Sequence, residues 1–176
     1  MPIEEIVNSL RVSFGDPQAG APPASAVPIV TSWRGTTRVV VPAEKSYDVL
    51  AALKQQHGFD MLVDITCVDY LNYPGARDRF GLVYLLAGTE TGLRLTIRVF
   101  VNEPEPSVRS VVGLWEGANW LEREVWDMFG IRFQGHPDLR RILMPEEFTA
   151  FPLRKDYPLQ GLGERHNFPV LTRGES

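Results

Sequence analysis

The strongest constraint on the fold is a clean period-two alternation of apolar and polar residues between Leu93 and Val101, which only Phe100 interrupts. Every second residue from Leu95 to Val101 is Leu, Ile or Val, and every second residue from Arg94 to Arg98 is Arg or Thr. Successive side chains of a β-strand point to opposite faces, so the pattern predicts a strand with one buried and one polar face. Such a strand needs a second layer of structure that covers one face of its sheet.

Helix and strand patterns elsewhere in the chain complete this architecture. The predicted elements are a helix over 3–14, strands over 29–33 and 36–41 joined by a hairpin at Arg34-Gly35, a helix over 43–56, and strands over 59–70, 80–87 and 93–101. The order α-β-β-α-β-β-β predicts an α+β fold of two layers, in which helices cover a mixed or antiparallel sheet. This domain is expected to span residues 1–130, with a flexible connection rich in Gly, Ala and Pro over 15–28.

A last helix of the domain is predicted between Asn119 and Gly130. Asn119 followed by Glu122 has the spacing of a capping box, with Asn in the place of Ser or Thr. Gly130 is well placed to end the helix. Arg123 and Asp127 are four residues apart, so they are expected to pair along the helix surface.

Residues 131–176 have a different character. Gly and Pro recur every few residues, which is too broken a pattern for regular structure, yet large apolar residues such as Phe133, Phe148 and Phe168 continue through the segment. A disordered tail would lack these residues. The segment is therefore predicted to be an extended tail that orders by docking on another protein surface.

The composition excludes several classes of function. The net charge of −4 argues against a nucleic-acid-binding protein, which usually has a basic face. Cys67 is the only cysteine, so this chain by itself cannot form a disulfide or a four-cysteine iron–sulfur cluster, and Cys67 is expected to be a small buried residue of a strand. No apolar run is long enough to span a bilayer, and the acidic N-terminus does not resemble a secretory signal. These features predict a cytoplasmic protein that reaches a membrane only through a partner.

Motifs for metal or nucleotide chemistry are not evident in the sequence. His136 lies in the turn-like segment 135–138, and no second His or Cys stands at ligand spacing, so it is interpreted as a hydrogen-bonded turn residue. Its functional alternative is a polar contact at a subunit interface. Gly161-Leu162-Gly163 does not lie between a strand and a helix, as a dinucleotide fingerprint requires.

A carboxylate pair could be formed by Glu122 and Glu124. Helix residues two positions apart point to different faces, so these two would not share a substrate. The alternative is structural, in which both residues form ion pairs with Arg123, Arg140 or Arg141.

Two blocks rich in charged and aromatic residues carry a resemblance to a known family. The first block runs from Ala118 to Leu143, the second is Pro152-Leu153-Arg154-Lys155-Asp156-Tyr157-Pro158, and Asp69-Tyr70, Arg79-Phe80, Val83–Leu86 and Pro106–Val108 extend the likeness toward the N-terminus. Together they closely resemble the thirty-kilodalton subunit family of respiratory complex I. That family is also known as the C subunit of the proton-pumping NADH:quinone oxidoreductase.

The resemblance implies a non-catalytic core subunit of the hydrophilic arm, which supports electron transfer from NADH to quinone. It implies a peripheral location on the cytoplasmic side of the inner membrane and no nucleic-acid partner. It also implies no cofactor in this chain, because partner subunits carry FMN and the iron–sulfur clusters. The tail over 131–176 would dock on the quinone-site large subunit and on the ferredoxin-like two-cluster subunit. The residues expected to serve this interface or its structure are Glu122, Arg123, Glu124, Trp126, Asp127, His136, Asp138, Arg140, Arg141, Arg154, Lys155, Asp156 and Tyr157.

The sequence departs from the family pattern at two points, and two other functions are also considered. Ala150 stands where family members often have Gly, and the chain stops soon after Phe168, which implies separate large and small subunits. The first alternative function is the equivalent subunit of a membrane-bound hydrogenase or a ferredoxin-dependent complex. The second is a free-standing enzyme that uses Glu124, Asp127 and His136.

Overall fold

The computed structural model describes residues 2–14, 29–33 and 36–163. Its elements in chain order are α1 (Ile3–Phe14), β1 (Ile29–Trp33), β2 (Thr36–Val41), a 3₁₀ turn (Ala43–Lys45), α2 (Ser46–His57), β3 (Met61–Asp69), β4 (Phe80–Ala87), β5 (Arg94–Val101), β6 (Ser107–Arg109), α3 (Ala118–Phe129) and β7 (Arg132–Gln134). The main sheet has the order β1-β2-β5-β4-β3. Strands β2 and β5 are parallel and the other pairs are antiparallel, so the predicted α+β fold with a mixed sheet is confirmed.

One face of this sheet is buried against all three helices. On β5, Leu95, Ile97 and Val99 are almost completely buried, as the alternation predicts. They belong to a single apolar cluster that also contains Leu10 of α1, Leu50 of α2 and apolar residues of α3. This face is the core of the domain.

The opposite face of the sheet, here called the outer face, carries the other half of the alternation. Its central strand presents Arg94, Thr96, Arg98 and Phe100, of which Thr96 is buried and the others are half-buried or exposed. Arg98 of β5 pairs with Val83 of β4 on one side and with Val40 of β2 on the other. Half-buried apolar residues therefore flank the arginine.

The sequence prediction is wrong for the start of α3 and correct for its end. The helix begins at Ala118 with Gly117 as N-cap, so the prediction that Asn119 caps it is wrong. Backbone turns supply the first bonds instead, since the N–H groups of Ala118 and Asn119 donate to the carbonyls of Trp115 and Glu116. Gly130 ends the helix in a left-handed conformation, with φ of 76°, as predicted.

The chain beyond α3 contains one regular element that the sequence pattern did not predict. Residues 132–134 form β7, which pairs in parallel with β6, with Phe133 opposite Val108 in the register. The expectation that the tail has no regular structure is wrong for these residues, because a short parallel partner is available. In the described part of the chain, no helix is both long and apolar enough to cross a membrane.

Residues 135–157, here called the strap, return across α3 and lie against the chain's own domain. Docking of residues 131–176 on partner subunits stays a prediction. The predicted connection at 15–28 and the hairpin residues Arg34-Gly35 fall outside the described residues, as do residues 164–176.

Candidate functional site

Glu122, the first of the candidate residues along the chain, is a buried carboxylate on the inward side of α3. One of its oxygens accepts a hydrogen bond from the Ser110 hydroxyl at 2.7 Å, and the other accepts one from the Val111 N–H at 2.6 Å. The predicted ion pair with an arginine is therefore wrong for Glu122, because two groups of the β6–α3 connection already occupy its oxygens. Glu122 fastens this connection to the helix.

This buried position changes the acidity of Glu122. Burial raises its pKa to about 7, although the bonds from Ser110 and Val111 favour the ionised form. A carboxyl group in the unfolded chain keeps the ordinary pKa of 4.5. A raised pKa in the folded state stabilises the fold fully below the unfolded pKa, and this contribution disappears as the pH rises from about 4.5 to about 7.

We expect Glu122→Gln to remove that pH dependence. The amide oxygen can accept from Val111 and the amide N–H can donate to Ser110, so the contacts survive without a titrating group. At about 1.4 kcal/mol per pKa unit, wild type should lose about 3 kcal/mol of unfolding free energy relative to the variant between these pH values. Urea denaturation across this range measures the difference. Glu124→Gln, on the exposed side of the same helix, should keep the wild-type slope. An unchanged slope in Glu122→Gln would contradict the assignment.

His136 is buried beside Glu122 at the start of the strap. Its Nδ1 accepts the N–H of Asp138 at 3.0 Å, so the ring hydrogen is assigned to Nε2, which donates to the Asn119 carbonyl at 3.2 Å. The same Nε2 lies 4.0 Å from a Glu122 oxygen. The interpretation of His136 as a hydrogen-bonded turn residue is confirmed.

Asp127 holds the middle of the strap. One carboxylate oxygen accepts three consecutive backbone N–H groups, from Ile142, Leu143 and Met144, at 3.1, 2.8 and 2.9 Å. The other oxygen pairs with the guanidinium of Arg141. Burial opposes ionisation, but the hydrogen bonds from these four residues hold the pKa of Asp127 below its ordinary value.

Arg141 is enclosed by the strap and α3. It also donates to the carbonyls of Asp127 and Ala150, at 3.2 and 3.0 Å. Its Cζ lies between 5.5 and 5.7 Å from the ring centroids of Trp126, Phe148 and Phe151. The guanidinium is therefore satisfied by carbonyls, a carboxylate and aromatic faces of its own chain.

Arg123 and Asp127 do not form the ion pair that their spacing predicts. Arg123 donates instead to the carbonyls of Arg140 and Arg141, both at 3.0 Å. The strap places carbonyl oxygens beside Arg123 and N–H groups beside Asp127, and each side chain takes these partners in preference to the other. Arg123 therefore binds carbonyl groups of the strap, and Asp127 binds N–H groups of the residues that follow them.

The second motif block is fixed to the end of α3. Arg154 donates from Nε to the Phe129 carbonyl at 2.6 Å, and its Nη1 lies 3.2 Å from Glu103. Gly130 allows this close approach, because a Cβ at that position would lie 2.6 Å from the Phe151 ring and 2.7 Å from Arg154. Gly130 is needed both for its positive φ and for the space it leaves.

Sequence reasoning missed a further set of charges that holds the same block. Arg79 lies 2.6 Å from Glu103, 2.7 Å from Asp156 and 3.5 Å from the fully buried Asp69. Asp69 also accepts the N–H of Lys155 at 2.9 Å. Asp69 and Arg79 belong to segments that carried the family resemblance, but neither was a site candidate, and no pattern in the sequence pointed to Glu103. Asp69 ends β3 and Arg79 directly precedes β4, its antiparallel neighbour, and this is the one feature that could have suggested a cluster.

The remaining motif residues lie nearer the solvent. Asp138 and Arg140 form an exposed pair at 2.9 Å, and Glu124 and the Lys155 side chain are exposed. Tyr157 packs its ring against Phe148, with centroids 5.9 Å apart.

The arrangement therefore uses most motif charges to fasten the strap to the domain. Among the described residues, no group of three His, Cys, Asp or Glu side chains could hold a metal ion. Cys67 is buried in β3, as expected, and burial raises its pKa to about 12. Buried carboxylates that accept backbone N–H groups are suited to holding a surface in shape, and the surface so shaped includes Leu143 and Leu153, which are about half exposed.

Comparisons with known proteins place this geometry in a family. Residues 39–162 match the family described as respiratory-chain NADH dehydrogenase, 30 Kd subunit. The C subunit of NADH-quinone oxidoreductase from Trichlorobacter lovleyi is 52% identical over 130 residues, which cover 74% of this chain and 79% of the relative. NADH-quinone oxidoreductase subunit 5 of Thermus thermophilus is 46% identical over 142 residues, which cover 77% of this chain and 68% of the relative.

Solved structures agree with this match. The trypsin-resistant fragment of Nqo5 superposes with a TM-score of 0.65 at 36% identity, over 79% of this chain and all of the fragment. A chain of the membrane-bound sulfane sulfur reductase, an archaeal respiratory membrane complex, has a TM-score of 0.72 at 24% identity, over 97% of this chain and 93% of that chain. The second likeness concerns the fold alone. The matched segment contains both motif blocks and nearly all of the contacts described above, and the chain belongs to the 30-kDa subunit family of respiratory-chain NADH dehydrogenase.

Proposed function

We propose that this chain is a non-catalytic core subunit of the hydrophilic arm of NADH:quinone oxidoreductase. The observation that carries the proposal is the family match over residues 39–162, which includes both motif blocks. In this role the chain supports electron transfer from NADH to quinone without binding a cofactor of its own. FMN and the iron–sulfur clusters would reside in other subunits.

The contacts of the motif support a structural role in preference to a catalytic one. Asp127 and His136, two members of the hypothetical catalytic trio, have buried side chains whose polar atoms are bonded to groups of the strap and of α3. The third member, Glu124, is exposed on the same helix. A general base must be able to reach a substrate proton, and the two buried groups are occupied by the fold itself.

The proposed partners are the quinone-site large subunit and the ferredoxin-like two-cluster subunit, on the cytoplasmic side of the membrane. The strap is a rigid support for such a contact, because its backbone is held at Asp127, Arg123 and Asp69. Leu143 and Leu153 project from it and are 60% and 52% exposed. Residues of this kind can fill pockets on a partner without a large loss of conformational entropy in the strap.

Purification of a chromosomally tagged chain from solubilised membranes tests the proposal. The two proposed partner subunits should co-purify with NADH:quinone activity, and deletion of the chain should abolish assembly until it is supplied again. A complex that oxidises ferredoxin but not NADH would favour the ferredoxin-dependent alternative. Purification of the chain without any of these subunits would contradict the proposal.

A matched pair of variants tests the absence of a catalytic role. Glu124→Gln should leave the turnover per assembled complex unchanged, as should Glu116→Gln, which changes an exposed glutamate outside the motif helix. Loss of turnover in Glu124→Gln alone, in a complex of normal subunit composition, would identify a catalytic contribution from this chain.

A further inference from the structure

The outer face of the sheet is basic, although the chain as a whole is acidic. Arg38, Arg94 and Arg98 lie on this face by their register, and Asp64 is the acidic residue that shares it. The net charge of the chain is −4. A basic face on an acidic protein is a local feature that favours contact with a negatively charged partner.

An aromatic groove lies at one end of the outer face. The loop between β3 and β4 borders an open groove of about 400 Å³, lined in part by Tyr70, Tyr73, Arg77, Arg98 and Phe100. Asp78, which also lines it, accepts a hydrogen bond from Asn102. Aromatic residues and arginine are the types most enriched at the centres of protein interfaces.

The groove has a defined shape because its aromatic rings pack together. The Tyr70 ring meets Tyr73 edge-on at 5.8 Å between centroids and lies 6.2 Å from Phe100. Gly81 leaves space for two of these rings, because a Cβ there would lie 2.9 Å from the Tyr70 ring and 3.1 Å from the Phe100 ring. Tyr73 is nevertheless 66% exposed, so this prearranged ring is available to a partner.

Apolar residues continue the groove along the edge strand β3. Val68 is 37% exposed, Val63 46% and Met61 48%, and Leu71 beyond the strand is 46% exposed. A surface that bound only nucleic acid would have little use for these side chains, whereas a protein partner with an apolar centre and acidic margin would contact both kinds of residue.

We propose that the outer face, with the groove at Tyr73 and Arg98 as its centre, binds an acidic surface of a neighbouring subunit in the respiratory complex. The proposal rests on the proposed function, since it requires membership of the complex. Carboxylates of the partner pair with Arg94 and Arg98, and an apolar side chain of the partner enters the groove. The cations assigned to this contact are those of the outer face, because the strap arginines Arg140, Arg141 and Arg154 are already bonded within the chain, as is Arg123 of α3.

Cysteine labelling tests whether the outer face is covered. Cys67 is buried and its pKa is raised to about 12, so the natural thiol gives little background with a maleimide. Tyr73→Cys and Thr66→Cys place single reactive thiols on or beside the outer face, and Val12→Cys places one on α1, where the side chain is 86% exposed. All three should react rapidly in the isolated full-length chain. In the purified complex, the two outer-face positions should react at least about tenfold more slowly, as expected for a desolvated interface.

Charge reversal tests the acidity of the partner. Tagged variant and wild-type chains are co-expressed, and their ratio in the purified complex is measured at two salt concentrations. Arg94→Glu should be under-represented by about tenfold, as expected for one charge pair removed from an interface, while Arg94→Lys should compete normally. Arg11→Glu makes the same charge change on an exposed position of α1 and should compete normally. Thermal melting of the isolated chains checks that Arg94→Glu still folds.

The outcomes separate this inference from the proposed function. Equal labelling of Tyr73→Cys in the isolated chain and in the complex would overturn the inference while leaving membership of the complex intact. Slow labelling of the outer face together with normal competition by Arg94→Glu would overturn the inference that the partner's surface is acidic. Failure of the wild-type chain to enter the complex would instead overturn the proposed function.

Discussion

Replacing Asp127 with alanine is expected to lower the free energy of unfolding by about 3–5 kcal/mol, the range found when one partner of a buried ion pair is removed. The carboxylate is fully buried and accepts the N–H groups of Ile142, Leu143 and Met144 in addition to its pairing with Arg141. Without it, three backbone donors lose their acceptor and the Arg141 guanidinium loses its anionic partner. Urea denaturation of the isolated chain near neutral pH measures the loss.

The matched control for this prediction is Glu124→Ala. Glu124 is exposed on the same helix, and its removal should change the unfolding free energy by no more than about 0.5 kcal/mol. The pH dependence gives a second check. The pKa of Asp127 is lowered in the folded state, so its stabilisation is present above the unfolded pKa and is lost as the pH falls through the folded pKa. A loss below about 1 kcal/mol in Asp127→Ala would mean that the strap does not depend on this carboxylate.

Replacing Arg79 with alanine is expected to release the second motif block from the domain. Arg79 joins the buried Asp69 to Glu103 and Asp156, and Asp69 in turn accepts the N–H of Lys155. Because Asp69 would remain buried without its cationic partner, the loss of unfolding free energy should be about 2–3 kcal/mol. The local effect should exceed the global one, since Arg79 pairs directly with Asp156 of the second motif block and with Asp69, which holds the Lys155 N–H.

Limited digestion with trypsin measures this release. The enzyme cleaves after Arg154 and Lys155. In the wild-type chain the N–H groups of these residues donate to the Phe151 carbonyl and to Asp69, respectively. Cleavage at these bonds should accelerate about tenfold or more in Arg79→Ala, as expected when about 1.4 kcal/mol or more of local protection is removed. Arg77→Ala, which removes an exposed arginine from the same loop, should digest at the wild-type rate. Equal rates in both variants would show that the charge cluster around Arg79 does not hold the strap.

Local patterns located all five strands of the main sheet, although the strand predicted over 59–70 is shorter in the structure, at Met61–Asp69. The predicted strands over 29–33, 36–41 and 80–87 agree with β1, β2 and β4 at both ends, and β5 differs by one residue. The alternation in β5 also predicted which of its faces is buried. These features depend on the side-chain periodicity of a strand, which is a property of neighbouring residues alone.

The same local reasoning failed where a distant segment offered better partners. The spacing of Arg123 and Asp127 allows a pair on an isolated helix, but that pair contributes only about 0.2–0.5 kcal/mol. Hydrogen bonds of a charged group to backbone atoms contribute about 1.5–3 kcal/mol each, and the strap supplies several to each residue. The predicted cap at Asn119 failed for a related reason, because turns of the preceding backbone extend the helix beyond it.

The sequence by itself determined the elements, the buried face of the sheet and the family, because each depends on the order and spacing of residues along the chain. Only the tertiary structure decided which groups the motif charges bind. Asp127 bonds Leu143, 16 positions further along the chain, and Asp69 bonds Lys155, 86 positions away. No periodicity connects residues at such separations, since their distance is set by how the packed core positions β3, α3 and the strap. The charges of the motif therefore had a recognisable pattern in the sequence, but their partners exist only in the folded chain.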